Sequence, residues 1–186
     1  MKISRKIILT TFIILKGGSV LAQNSKNNSI YFEALGNGIA YSVNYDKLIP
    51  ITSKLKFAPR VGFEFIPRDK STLPANGKWT IPLEINSLYA ASEKQKNFYE
   101  AGLGLTLSNI VENYSINENN EIKPTRIQNA KIVTLRLGYR YQKASGGLMY
   151  RAGVLVKLYQ DEYSKQRVGD DMFFAVWPGF SVGYSF

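Results

Sequence analysis

The sequence predicts an all-β fold, one closed barrel of eight antiparallel, up-and-down strands. Three observations carry that expectation: segments of similar length, a clean odd/even split of apolar and polar residues within them, and connections that tend to alternate between short and long.

The segments are expected at Ser29 to Leu35, Ile39 to Lys47, Lys54 to Ile66, Lys78 to Ala90, Lys96 to Ser108, Lys131 to Gln142, Gly147 to Tyr159 and Met172 to Phe186. Most are close to the roughly 9 to 11 residues of a tilted strand that crosses a bilayer. The abundance of Tyr (12), Phe (10) and Gly (15), with no long helical pattern, no repeat and no linker-like tract, favours a single all-β unit.

Side chains alternate between the two faces of a strand, so each segment divides into two sets. One set is free of charge: Leu55, Phe57, Pro59, Val61, Phe63 and Phe65 in the third segment, and Tyr99, Ala101, Leu103, Leu105 and Leu107 in the fifth. It continues through Val133, Leu135, Leu137, Tyr139 and Tyr141, then Leu148, Tyr150, Ala152, Val154, Val156 and Leu158, then Phe174 to Phe186 at every second position. The complementary set holds Glu33, Arg60, Glu64, Glu84, Glu100, Arg136, Arg140, Arg151 and Lys157.

Alternation alone does not say which set faces inward, because a soluble barrel would bury the apolar one. Glycine decides the expectation. Gly62, Gly102, Gly104, Gly138, Gly153, Gly179 and Gly183 all fall on the charged set. A solvent-facing strand position gains nothing by losing its side chain, whereas a narrow lumen needs room for arginine and glutamate. The expected fold is therefore a transmembrane β-barrel, with aromatic belts from Tyr41, Tyr45, Trp79, Tyr99, Tyr139, Tyr141 and Tyr184 near the segment ends.

The second, fourth and sixth connections are short, as turns on the periplasmic side would be, and the fifth, Asn109 to Ala130, is expected to be a long polar loop. The first departs from this order. Gly36-Asn37-Gly38 reads as a tight hairpin with an Asn-Gly signature.

Residues 1–22 read as a cleaved secretory signal: Lys2, Arg5 and Lys6, then an apolar run from Ile7 to Leu15, then Val20-Leu21-Ala22 before the cut. Lys16 is out of pattern within it. The run is too short to span a bilayer as a helix. The signal carries four basic and no acidic residues, so the rest of the chain, residues 23–186, holds +6 of the formal +10. That charge is spread along strands and mixed with Glu, which excludes a nucleic-acid stripe.

The last residues, Phe180-Ser181-Val182-Gly183-Tyr184-Ser185-Phe186, alternate and end on an aromatic. With Ile39 to Tyr45 and Leu137-Gly138-Tyr139-Arg140-Tyr141, they make the chain resemble small bacterial outer-membrane β-barrel domain proteins along nearly its whole length. The resemblance implies location in the cell outer membrane and contact with its lipid and lipopolysaccharide. It also implies that Phe180, Val182, Tyr184 and Phe186 are the signal read by the barrel-assembly machinery. Pro59, Pro82 and Pro178 depart from the pattern, since a closed barrel has no free edge, and they imply bulges or strand ends.

Eight strands leave a lumen that side chains fill, so the charged set is expected to form paired networks that pack the interior. A narrow gated ion path through the same fold is the alternative, and a secreted soluble barrel holding an apolar ligand is another. The chain has neither His nor Cys. Standard Ser–His chemistry and thiol chemistry are thereby excluded, and no cofactor, metal site or enzymatic activity is expected. Glu64, Glu84 and Glu100 would need a sugar-sized cleft to act as paired carboxylates, and the isolated Gly-x-Gly runs lack the context of a phosphate cradle. Specific binding would fall to the loops, where Arg68, Lys70, Lys165 and Arg167 are the candidates for lipopolysaccharide phosphates and the partner is unspecified.

Overall fold

The computed structural model describes residues 26–67, 78–92, 96–116, 122–162 and 175–186, with backbone alone for 78, 110–116 and 122–128. The expected leader, and most of the third and seventh connections with Arg68, Lys70, Lys165 and Arg167, lie outside the described residues.

Eight strands form one antiparallel sheet: β1 Asn28–Leu35, β2 Tyr41–Lys47 prolonged by Ile49–Pro50, β3 Leu55–Ile66, β4 Lys78–Ala90, β5 Asn97–Ile116, β6 Ile122–Gln142, β7 Gly147–Gln160 and β8 Val176–Ser185. Each pairs with its neighbours in sequence, and β8 returns to β1 through rungs from Ser29↔Ser185 to Leu35↔Gly179. The barrel is closed, and strand edges are removed along the shared wall.

Pro59, Pro82 and Pro178 each stand where the ladder to one neighbouring strand is interrupted, because a residue without an N–H is tolerated only where no carbonyl waits for it. Pro59 lies opposite the break in β2 at Leu48, between the rungs Asp46↔Arg60 and Ile49↔Phe57. Pro178 falls one residue beyond Leu35↔Gly179, where β1 has ended. At Pro82 two rungs are missing between Val61↔Leu83 and Glu64↔Thr80. The register is the same on both sides, so of the two expected alternatives, a bulge or a strand end, no bulge forms there and Pro82 stands in a gap of the ladder.

The fifth connection also differs from expectation. Instead of a loop from Asn109 to Ala130, β5 and β6 continue pairing as far as Ile116↔Ile122, with irregular register near Asn113. Neighbouring strands stop earlier: the Asn109 side chain accepts a hydrogen bond from Trp79 N at 2.6 Å, and Asp161 accepts one from Lys131 N at 2.9 Å. The sequence of this extension lacks the sustained apolar alternation of the other strands, which is why it reads as a loop.

Along the wall the charge-free set faces outward. Phe63 is 52% exposed and Val182 48%, while Glu33, Arg136 and Arg140 are fully buried. Two aromatic belts flank the apolar band. Tyr45, Tyr89, Tyr99, Tyr139, Tyr141, Tyr150 and Tyr184 ring the end with the short turns, and Tyr41, Phe65, Trp79 and Tyr159 mark the other. Tyr89 and Trp79 are ten residues apart on β4. That is roughly 33 Å of strand, or about 25 Å of barrel height at the usual tilt of about 40°.

Closure leaves little room at the seam of β1 and β8. A β-carbon on Gly183 would come within 2.3 Å of both Ile30 O and Tyr31 Cβ. Gly183→Ala is therefore expected to destabilise the barrel by about 1 to 3 kcal/mol, read as a shifted urea midpoint of tryptophan emission.

Candidate functional site in the barrel lumen

Because polar residues occupy every second position of most strands, closing the sheet drives their side chains into one narrow space. Burying an unpaired ion there would cost several kcal/mol, so geometry must match each charge with an opposite one. Three arginines and three glutamates meet this demand around Tyr31. Glu33 accepts from both Arg60 and Arg136, the latter at 2.6 Å, and lies 3.6 Å from Arg151. Glu84 faces the same three guanidinium groups, with Arg60 at 2.9 Å, Arg136 at 2.9 Å and Arg151 at 2.7 Å. Glu100 takes a two-pronged pair of bonds from Arg151 at 2.7 and 2.6 Å.

Neutral donors and acceptors complete the lattice. Asn44 accepts from Arg60, Asn86 donates to Glu84, and Ser181 donates to Glu33. The Tyr31 ring lies 5.5 Å from the guanidinium carbon of Arg60 and 5.9 Å from that of Arg151, placing both cations near its π face. Nearer the turn end, Arg140 grips Asp46 with two bonds at 2.6 and 2.9 Å and donates to Ser29.

Both ends of this ionic layer are covered. Towards the turns, Leu48, Ala58, Leu88, Ala90 and Phe98 form a buried apolar cluster, with the Lys56 ammonium 5.1 Å from the Phe98 ring centroid. Towards the other end, Gly36-Asn37-Gly38 is not the projecting hairpin tip its Asn-Gly signature suggests. It is a single 3-10 turn, buried throughout and folded into the barrel mouth. The Asn37 amide donates to Glu84, its side-chain oxygen accepts from Thr134 at 2.8 Å, and its carbonyl accepts from Thr106 at 2.9 Å. Trp177 Nε1 donates to Gly36 O at 2.9 Å.

Holding the turn inward costs backbone strain. Leu35 and Ile39 flank it at φ 60° and 74°, where side-chain-bearing residues are seldom found. Gly104 supplies the space: a β-carbon there would stand 2.3 Å from Asn37 Nδ2.

The sequence-derived network thus divides. Glu33, Arg60, Glu84, Glu100, Arg136 and Arg151 share the central cluster, and Arg140 joins Asp46 instead. Glu64 is buried and accepts from the Ala40 and Tyr41 amides at 3.3 Å, anchoring the first connection. Lys157 is half-buried beside an irregularity in the β6–β7 register and donates to Gln160 at 2.6 Å, apart from the central lattice. Phe180, Val182, Tyr184 and Phe186 are exposed along the outer face of β8 and just beyond it.

Asn86, which donates to Glu84, falls on the polar set that the alternation marks, whereas Tyr31, Asn37 and Asp46 are absent from the sequence-derived set. Tyr31 and Asp46 sit on the polar parity, two residues from Glu33 and Asn44, so the same alternation could have found them. Asn37 could not be found that way, since a turn has no parity.

No protein-family model matches the chain, and no curated protein matches it. The functional reading therefore rests on the geometry above.

Asp46→Ala leaves Arg140 buried without its counter-ion and is expected to cost about 3 to 5 kcal/mol, while Asp46→Leu combined with Arg140→Met costs much less. Urea unfolding of the wild type and the two variants in detergent micelles, followed by circular dichroism, measures the difference. Asn37→Ala, which removes the side-chain bonds to Glu84 and Thr134, is expected to cost about 1 to 3 kcal/mol in the same assay.

Proposed function

We propose that this protein is an integral outer-membrane β-barrel of a Gram-negative bacterium, exported by a cleaved signal, with a structural or surface-interaction role and no catalysis. The observation that carries the reading is the inverted polarity of the wall, apolar outside and ionic within. In water such a wall would leave a continuous apolar band exposed, far beyond the scattered patches of soluble proteins. In a bilayer the same band matches the hydrocarbon, and the two aromatic belts, about 25 Å apart, match its interfaces.

Every strand of the closed wall pairs on both sides, as lipid requires of a spanning sheet. A soluble barrel with an apolar lumen would bury Phe63 and Val182, which instead face outward. The lumen, packed by the Arg–Glu lattice between an apolar layer and an inward turn, supports a non-conducting barrel over a gated ion path. Contact with the assembly machinery through Phe180, Val182, Tyr184 and Phe186 is part of this proposal, as is contact of the loop end with lipopolysaccharide.

Val154→Arg and Leu137→Arg, on the outer face, are expected to destabilise the vesicle-inserted barrel by about 2 to 4 kcal/mol. Exposed turn positions such as Ser145 are expected to accept arginine with little effect. Recovery in the outer-membrane fraction and heat-modifiable migration on gels test location, and planar-bilayer recordings are expected to stay flat. A soluble product without heat-modifiable migration overturns the membrane reading, and discrete conductance steps overturn the non-conducting one.

A further inference from the structure

The turn end of the barrel carries an exposed cleft that the lumen network does not use. It has a volume of about 510 Å3 and is lined by Tyr139, Tyr141, Lys143, Gly146, Gly147, Leu148 and Tyr150. Its walls belong to the tyrosine belt, with the Tyr141 and Tyr150 rings 6.0 Å apart. Its floor is the turn between β6 and β7, where Gly146 and Gly147 take φ of +81° and +101°, conformations that favour glycine. Gly147 has open space where a β-carbon would stand, so a ligand can approach bare backbone there.

Two lysines flank this turn. Lys143 lines it and is exposed, and the Lys26 stem packs on Gly146, its Cγ 2.7 Å from the position of a β-carbon on that glycine. A backbone bond from Lys26 N to Ala144 O at 2.8 Å fixes this approach. The surroundings reinforce the sign of charge. Lys47, Lys54 and Lys96 lie at the same end, and the acidic side chain described there, Asp46, is inside and taken up by Arg140.

We propose that the cleft seats the headgroup of an anionic glycerophospholipid from the leaflet at the turn end, its phosphate between Lys26 and Lys143. The acyl chains then run up the outer wall beyond Tyr150, past Ala152 and Val154. The argument is complementarity at both ends of the ligand. Lysine stems lie along apolar surface while their ammonium groups reach phosphate, tyrosine rings suit the boundary between the two, and the wall above is hydrocarbon-like. A soluble anion would match only the lysines.

The inference rests on the membrane reading, and its test separates the two. The full chain is refolded into vesicles of equimolar phosphatidylcholine and phosphatidylglycerol, extracted with mild detergent, and its retained lipids are counted by native mass spectrometry. The wild type is expected to retain phosphatidylglycerol in preference. In the Lys26→Gln/Lys143→Gln double variant that preference should fall by roughly fivefold for each lysine removed, whereas Lys54→Gln, on a different turn, should leave it unchanged.

Retention of both lipids in their mixing ratio, an unaffected double variant, or an equal loss in Lys54→Gln overturns the proposal. Heat-modifiable migration and protease protection in the same vesicles read insertion separately. A barrel that inserts without headgroup preference sinks the cleft alone, and one that does not insert sinks the membrane reading and the cleft with it.

Discussion

The interaction on which the rest depends is the neutralisation of Arg60, Arg136 and Arg151 by Glu33, Glu84 and Glu100 in a lumen too narrow for bulk water. Each of these ions would be costly alone, and each is affordable only because strands distant in sequence bring its partners within bonding distance. Glu33 on β1 and Arg136 on β6 are 103 residues apart. The lattice therefore forms only when the barrel closes. Slipping any strand by one residue would turn its ions to the outside and its apolar set inward, so register and ion pairing specify one another.

Around that lattice the molecule is built in layers. The apolar cluster from Leu48 to Phe98 excludes water on one side, and the inward turn at Asn37 does so on the other. The turn is held by bonds to β4, β5, β6 and β8, which offset the unfavourable backbone of Leu35 and Ile39. Strain of this kind persists only where the surroundings over-determine it, as four strands do here. The same constraint accounts for the prolines, which a closed wall admits only opposite interruptions of the ladder.

Much of the architecture was legible because one rule operates along every strand of the wall: residues two apart share a face, and the faces meet different media. Phe63, Val61 and Phe65 against Glu64, Gly62 and Arg60 is enough to assign sides once glycine is seen to accompany charge. Where that rule stops, reading stops too. The extension of β5 and β6 beyond Ser108↔Ala130 pairs through its backbone without the regular alternation of the wall, so the Asn-rich stretch looks like a loop. The inward turn was misread because Asn-Gly encodes a local bend and says nothing of the direction in which the bend then packs.

The sequence by itself determined the eight-stranded alternation, the parity of the charged set and the position of most strands, since these follow from the two-residue period of an extended chain. Only the tertiary structure decided which ions pair, that Asp46 takes Arg140 while Glu64 holds the first connection, and that Asn37 reaches Glu84 and Thr134. Those choices depend on stagger between strands and on the direction of each side chain across the lumen. Neither is written in local spacing; both are set when β8 meets β1 and the barrel acquires an inside.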